Sequence, residues 1–172
     1  PTPNKPTTKV DISKASVTGI QASVIYTGKK LKQTPVVTVK GKTLSAKSDY
    51  TVKYKNNKNI GKATITINGK GKYTGTITKT FRIKVAKNNT YTVKGIRYKI
   101  TKASTNGKGT VTVIGTTKKK SDKKFTKLSI KNTVKIGGVT FNVTAISKKA
   151  FKGYKYLKSA TIGDKVKTVG AQ

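Results

Sequence analysis

General acid–base chemistry draws on histidine or on two carboxylates within reach of one another. This chain has no histidine, and its only acids are Asp11, Asp49, Asp122 and Asp164, widely separated along 172 residues. Cysteine is absent as well, which removes thiolate nucleophiles, disulfides and cysteine-based metal sites, and the common metal sites of other kinds lack ligands. Lysine is abundant, but a lysine nucleophile needs a desolvated pocket, and no spacing singles one out here. The residue types therefore point away from catalysis, and neither a metal nor another cofactor is expected.

What the sequence does offer is positive charge. Lysine and arginine number 39 against 4 acids, a formal charge of +35. Such an excess ordinarily points to nucleic acid. Its distribution argues otherwise. Residues 1–87 hold 19 basic and 2 acidic residues (+17), and residues 88–172 hold 20 and 2 (+18). Only Arg82 and Arg97 are arginines, the type whose planar fork grips phosphate with two hydrogen bonds. Most of the lysines read as solvated strand faces and as charges that blunt exposed strand edges. A field of this size still attracts polyanions at low ionic strength, nucleic acid included, without selecting a sequence. The one dense cluster is Lys118, Lys119, Lys120, Lys123 and Lys124, interrupted by Ser121-Asp122. It is expected at a hairpin tip or loop, and it is the first place a polyanion would dock, releasing counterions as it does so. Tyr154 and Tyr156, with lysines between and beside them, are the candidates for contact with a glycan, and apolar packing is an equal role for them.

The elements that must position these groups read as strands. Lys9 to Ile12, Ser23 to Tyr26, Val36 to Val39, Tyr50 to Tyr54, Ala63 to Ile67 and Thr76 to Val85 are strand-like. In two of them the apolar residues alternate cleanly: Tyr50, Val52 and Tyr54 face one way, and Ala63, Ile65 and Ile67 repeat the pattern. Turn signals fall at Gly41-Lys42, from Asn56-Asn57 to Gly61, and from Asn68-Gly69 to Gly71. Short strands at this spacing with one apolar face predict a β-sandwich over 9–87, preceded by a proline-rich tail over 1–8. After a polar joint at Lys87 to Thr90, Tyr91 to Thr101 and Gly109 to Gly115 read as strands around a turn at Asn106-Gly107. Leu128, Ile130, Val134 and Ile136, then Val139, Phe141 and Val143, resume strand character, while Ser147 to Tyr154 is expected to form a single helical turn or a short helix. The length suits two small domains, 9–87 and 88–172, and there is no apolar run long enough to span a membrane. The start at Pro1-Thr2-Pro3 reads as a mature or trimmed terminus, so the lack of a signal peptide says little.

A further pattern appears near the C-terminus. Ile146, followed by Ser147 to Phe151, is echoed by Val169, Gly170, Ala171 and Gln172 at an offset of 169 − 146 = 23 residues. A period in the twenties points to stacked coils of short strands. Leu157, Ile162, Val166 and Val169 would be the inward row of one coil, with a turn at Gly163-Asp164. The chain is expected to end inside a larger repeat array, which would leave that row without its natural cover.

Two stretches resemble known families. Ala145 to Gly170, with its spacing of Ala-Phe, Gly, Leu, Ile-Gly and Val, resembles the BspA-type leucine-rich repeats of bacterial surface proteins, and Tyr91 to Val143 is similar to the β-rich lead-in that precedes such repeats. Tyr26 to Ile83 is similar to the small immunoglobulin-like modules of secreted and wall-anchored proteins of Gram-positive gut bacteria. Its markers are Tyr26-Thr27-Gly28, Pro35, Asp49-Tyr50, Asn56-Asn57, Gly61, Gly69, Gly71 to Gly75 and Phe81. The resemblance implies a mainly β chain, an immunoglobulin-like β-sandwich followed by a β-rich domain leading into leucine-rich repeat coils. It implies an extracellular location, at the cell surface or secreted. Some wall-attached modules of this kind carry a Lys-Asn crosslink assisted by an acid, a role that would fall to Asp49, but ordinary uncrosslinked side chains are the expectation here. The expected function is a non-catalytic surface or adhesion module, a spacer with a binding face for host or cell-wall polymers such as anionic glycans. The alternatives are an accessory glycan-binding or structural part of a larger secreted carbohydrate-active enzyme, and nonspecific nucleic-acid binding.

Overall fold

Alternating apolar and polar residues put one face of the longer strands inward, and in the computed structural model, which describes residues 8–170, the chain is built from strands and turns. There is no helix among the described residues. The chain divides into two compact units, 1–83 and 84–172. Apart from Thr8, the tail expected over 1–8 lies outside the described residues.

The first unit carries β1 (Val10–Asp11), β2 (Ser16–Thr18), β3 (Ser23–Ile25), β4 (Val36–Val39), β5 (Lys42–Thr43), β6 (Tyr50–Lys55), β7 (Gly61–Gly69), β8 (Tyr73–Thr74) and most of β9 (Thr76–Lys84). Strand β4 lies antiparallel between β2 and β5, and a second sheet runs in the order β3-β9-β7-β6. The inward residues of both sheets meet in one core. Val37 from the first packs with Tyr50, Ala63, Ile65, Ile67, Ile77, Phe81 and Ile83 from the second, with Ile12 and Leu44 completing the cluster. Strand β1 sits apart from these ladders, paired in parallel with β8 through Val10↔Tyr73 and Asp11↔Thr74. The short strands β2, β5 and β8 carry too few residues to stand out by alternation.

The second unit carries β10 (Thr90–Val93), β11 (Ile96–Lys102), β12 (Gly109–Thr116), β13 (Lys127–Ile130), β14 (Thr133–Ile136), β15 (Val139–Ile146), β16 (Ser159–Ile162) and β17 (Thr168–Val169). One sheet runs β10-β11-β12-β15-β14, with β17 also on β15, and β13 pairs with β16. The run read as a single strand from Tyr91 to Thr101 is a hairpin. Lys94 and Gly95, with φ of 49° and 79°, make its two-residue turn. The pairings that join distant segments are parallel: β12 with β15, β13 with β16, and β15 with β17. In the last of these, Ile146 and Val169 are direct partners, the two residues 23 apart that open the echo.

The helical turn or short helix expected over Ser147 to Tyr154 is absent. Those residues form successive tight turns, with the amides of Ala150, Lys152 and Tyr154 donating to the carbonyls three residues back. Positive φ at Lys149 (58°) and Gly153 (83°) interrupts any helical run. The row Leu157, Ile162, Val166 and Val169 is incompletely covered: Leu157 and Val166 are half-buried, while Ile162 and Val169 are 39% and 56% exposed.

Candidate functional site

Three of the four acids have local work. Asp11 accepts hydrogen bonds from the Ser13 amide (2.8 Å) and hydroxyl (2.9 Å), and these two bonds, with a smaller contribution from Lys14, hold its carboxyl below the usual aspartate range. Asp49 accepts from the Ser45 amide at 2.9 Å and from the Ser48 hydroxyl, two bonds that close a loop. Asp122 accepts from the Lys124 amide at 2.9 Å. All three therefore act as side-chain closures of turns.

Asp122 also shapes the lysine cluster. Residues 117–126 form a turn-rich loop between β12 and β13, in which the Asp122 amide donates to the Lys119 carbonyl and the Phe125 amide to that of Asp122. Lys118 Nζ lies 3.7 Å from the Asp122 carboxylate. A 440 Å³ hollow on this loop is lined by Lys118, Lys119 and Asp122 with their neighbours, so the densest run of lysines encloses an acid.

The two tyrosines differ in how they are held. Tyr154 is half-buried, its ring in T-shaped contact with Phe125 (centroids 5.6 Å apart) and Phe151 (6.2 Å), and its hydroxyl donates to the Lys118 carbonyl at 3.0 Å. Its ring is committed to packing. Tyr156 is half-buried too.

A second hollow, of 270 Å³, lies beside this loop within the second unit. Arg97, Lys120, Lys149, Lys152 and Tyr154 line it around the backbone of 114–116, and no acid is among its lining residues. Register brings these together. In the β11·β12 ladder Arg97 lies opposite Gly115 and Ile96 opposite Thr116, so the arginine on one strand meets the end of the next. The Ser147 amide donates to the Val113 carbonyl at 2.8 Å, holding the 147–154 turns against the end of β12. Lys120 lies across Gly153, its Nζ 3.4 Å from where a Cβ of that residue would stand. The floor is fixed by buried Thr116, whose hydroxyl donates to the Gly95 carbonyl at 2.7 Å. Of these residues, Lys120 and Tyr154 are sequence candidates; Arg97, Lys149 and Lys152 are not. Arg97 had one signal in the sequence, the rarity of arginine; Lys149 and Lys152 had none.

The first unit has a larger hollow, 560 Å³, lined by Lys30 and by the continuous stretch Tyr54 to Lys62. Its polar floor is occupied in holding the chain. The Asn57 amide side chain donates to the Leu31 carbonyl at 2.7 Å and the Leu31 amide to the Asn57 carbonyl at 2.7 Å.

No helix among the described residues is long and apolar enough to cross a membrane, and no group of three metal-binding side chains is found among them. Compared with known proteins, the chain matches no family model, no curated protein and no solved structure.

Proposed function

We propose that the chain is a non-catalytic module of an extracellular protein, at the cell surface or secreted, that serves as a spacer and binds anionic glycans of host or wall through its charge. The observation that carries this reading is the size of the charge, +35 with 39 basic residues against 4 acids, most of which are taken up in closing turns. A field of that size raises the local concentration of any polyanion, whatever part its lysines also play on strand faces and edges. The lysine loop 118–124 contributes to that field.

Two structural features support the accompanying architectural reading. Two sheets sharing a core over 9–83 are compatible with an immunoglobulin-like module. The parallel pairing of Ile146 with Val169, and of β13 with β16, is compatible with a first pair of BspA-type coils. Stacking of successive coils is what a binding face built from repeats requires.

Chromatography on immobilised sulfated polysaccharide, with neutral dextran as the reference, tests the function. The expected result is retention on the sulfated support at about 0.15 M salt, elution as salt rises, and none on dextran. Passage through both supports at that salt would overturn the reading.

A further inference from the structure

We propose that the hollow framed by Arg97, Lys120, Lys149 and Lys152 is a discrete subsite that takes one sulfate or phosphate ester of an anionic glycan. The assignment rests on the polyanion reading of the chain and narrows it to a place and a ligand group.

Charge distinguishes this hollow from its neighbour. The loop hollow contains Asp122, 3.7 Å from Lys118, so part of its field is answered from within. The second hollow gathers four cationic side chains and no acid. Like charges held around one small volume repel one another, and an anion placed among them removes that repulsion as well as adding its own attraction. A tetrahedral oxyanion also offers enough acceptors to serve several donors at once, and Arg97 supplies the planar fork that suits it.

The site is built by the fold and not by a run of sequence. Arg97 comes from β11, Lys120 from the loop after β12, and Lys149 and Lys152 from the turns after β15. Their supports are anchored: Thr116 to Gly95, Ser147 to Val113, and Tyr154 to Lys118, Phe125 and Phe151. The backbone that carries the site is thus fixed, while the four cationic side chains themselves are exposed and reach the ligand from it.

Size and the state of Tyr154 select the ligand class. A volume of 270 Å³ is below the range of about 300–1,000 Å³ typical for drug-sized ligands, so it suits a single charged substituent with the rest of the polymer outside. Binding of single-stranded nucleic acid relies on aromatic faces free to stack with bases. Tyr154 is instead half-buried, in T-shaped contact with two phenylalanines and with its hydroxyl bound to the Lys118 carbonyl.

Calorimetric titration of the full chain at about 0.15 M sodium chloride tests this, using a heparin-derived hexasaccharide, a phosphorylated mannan fragment and a carboxylate-only oligogalacturonate. Two double variants of equal net charge are compared, Arg97→Gln/Lys152→Gln in the hollow and Lys131→Gln/Lys135→Gln outside it. The hollow variant should bind the sulfated or phosphorylated ligand at least about tenfold more weakly, and the outside variant within about threefold of the parent. Amide resonances of Gly115, Thr116 and Gly153 should shift on adding the ligand. Equal losses in the two variants would overturn the subsite while leaving the polyanion reading intact. If the parent chain binds none of the three ligands, the polyanion reading fails and the subsite with it. Oligogalacturonate binding as tightly as the esters would overturn the ester assignment. Single-stranded DNA binding as tightly, with the same dependence on Arg97, would overturn the glycan assignment.

Discussion

A tyrosine hydroxyl taken out of water must find a partner, or its desolvation counts against folding. Tyr50 and Tyr54, four residues apart on one strand, both find theirs in the segment before β4. The Tyr50 hydroxyl donates to the Pro35 carbonyl at 2.8 Å; that of Tyr54 donates to the Gln33 carbonyl and accepts from the Gln33 amide. The Gln33 side chain then pairs with the backbone of Gln21, accepting from its amide at 2.6 Å and donating to its carbonyl at 3.2 Å. Burial raises the Tyr50 hydroxyl above the usual tyrosine value of 10.0. The protonated form is thus favoured in the folded state, so this contribution is whole below the ordinary tyrosine range and is lost as pH rises through it. Tyr50→Phe should cost about 0.5–1.5 kcal/mol near neutral pH. Urea unfolding of parent and variant at rising pH should show the difference shrinking above about pH 10; a difference that stays constant would remove the titration from the account.

At the scale of elements, β17 is a two-residue strand paired with β15. Its neighbourhood is tight: a Cβ on Gly170 would stand 2.4 Å from the Lys148 amide nitrogen, and the Gly170 amide donates to the Ile146 carbonyl at 2.9 Å. Gly170→Ala should therefore lift β17 from β15. Hydrogen exchange at Lys167 and Gly170, whose amides donate to Thr144 and Ile146, should speed up by about tenfold or more while Val111 and Val143 are unchanged. Unaltered exchange at those two amides would mean the crowding is relieved without moving the strand. The echo that locates this strand was legible because it is a spacing between residue types. Likewise, alternation over Tyr50 to Tyr54 and Ala63 to Ile67 marks two strands, which extend over Tyr50–Lys55 and Gly61–Gly69. Pairing partners are another matter. Alternation identifies the face a residue takes and says nothing of which strand lies beside it, so the β13·β16 pair was hidden. The Lys94-Gly95 turn was hidden too, because apolar residues continue on either side of it. The candidate site suffered the same limit: Lys120 and Tyr154 stand out as types, but only the register opposing Arg97 to Gly115 brings the arginine to them.

For the whole molecule, a charge of +35 on 172 residues is a source of self-repulsion in the compact state. Screening should relieve it. Raising sodium chloride from about 0.01 M to about 0.15 M is expected to raise the thermal midpoint by several degrees, on the order of 1 kcal/mol of stability. The same change weakens attraction to polyanions, so stability and affinity should move in opposite directions with salt. Calorimetric scans across that range check the first half; a midpoint that falls or stays flat would show that local pairs and not the net field dominate. Geometry adds a mechanical consequence. Strand β1 runs parallel to β8, with the Val10 amide donating to the Lys72 carbonyl and that of Ile12 to Thr74, each at 2.9 Å. Tension applied between the start of β1 and the end of β8 pulls the two partners in opposite directions along their length, so these bonds are sheared together and not opened one after another. In a tethered molecule exposed to flow, that short parallel pair is where the first unit would resist being drawn out.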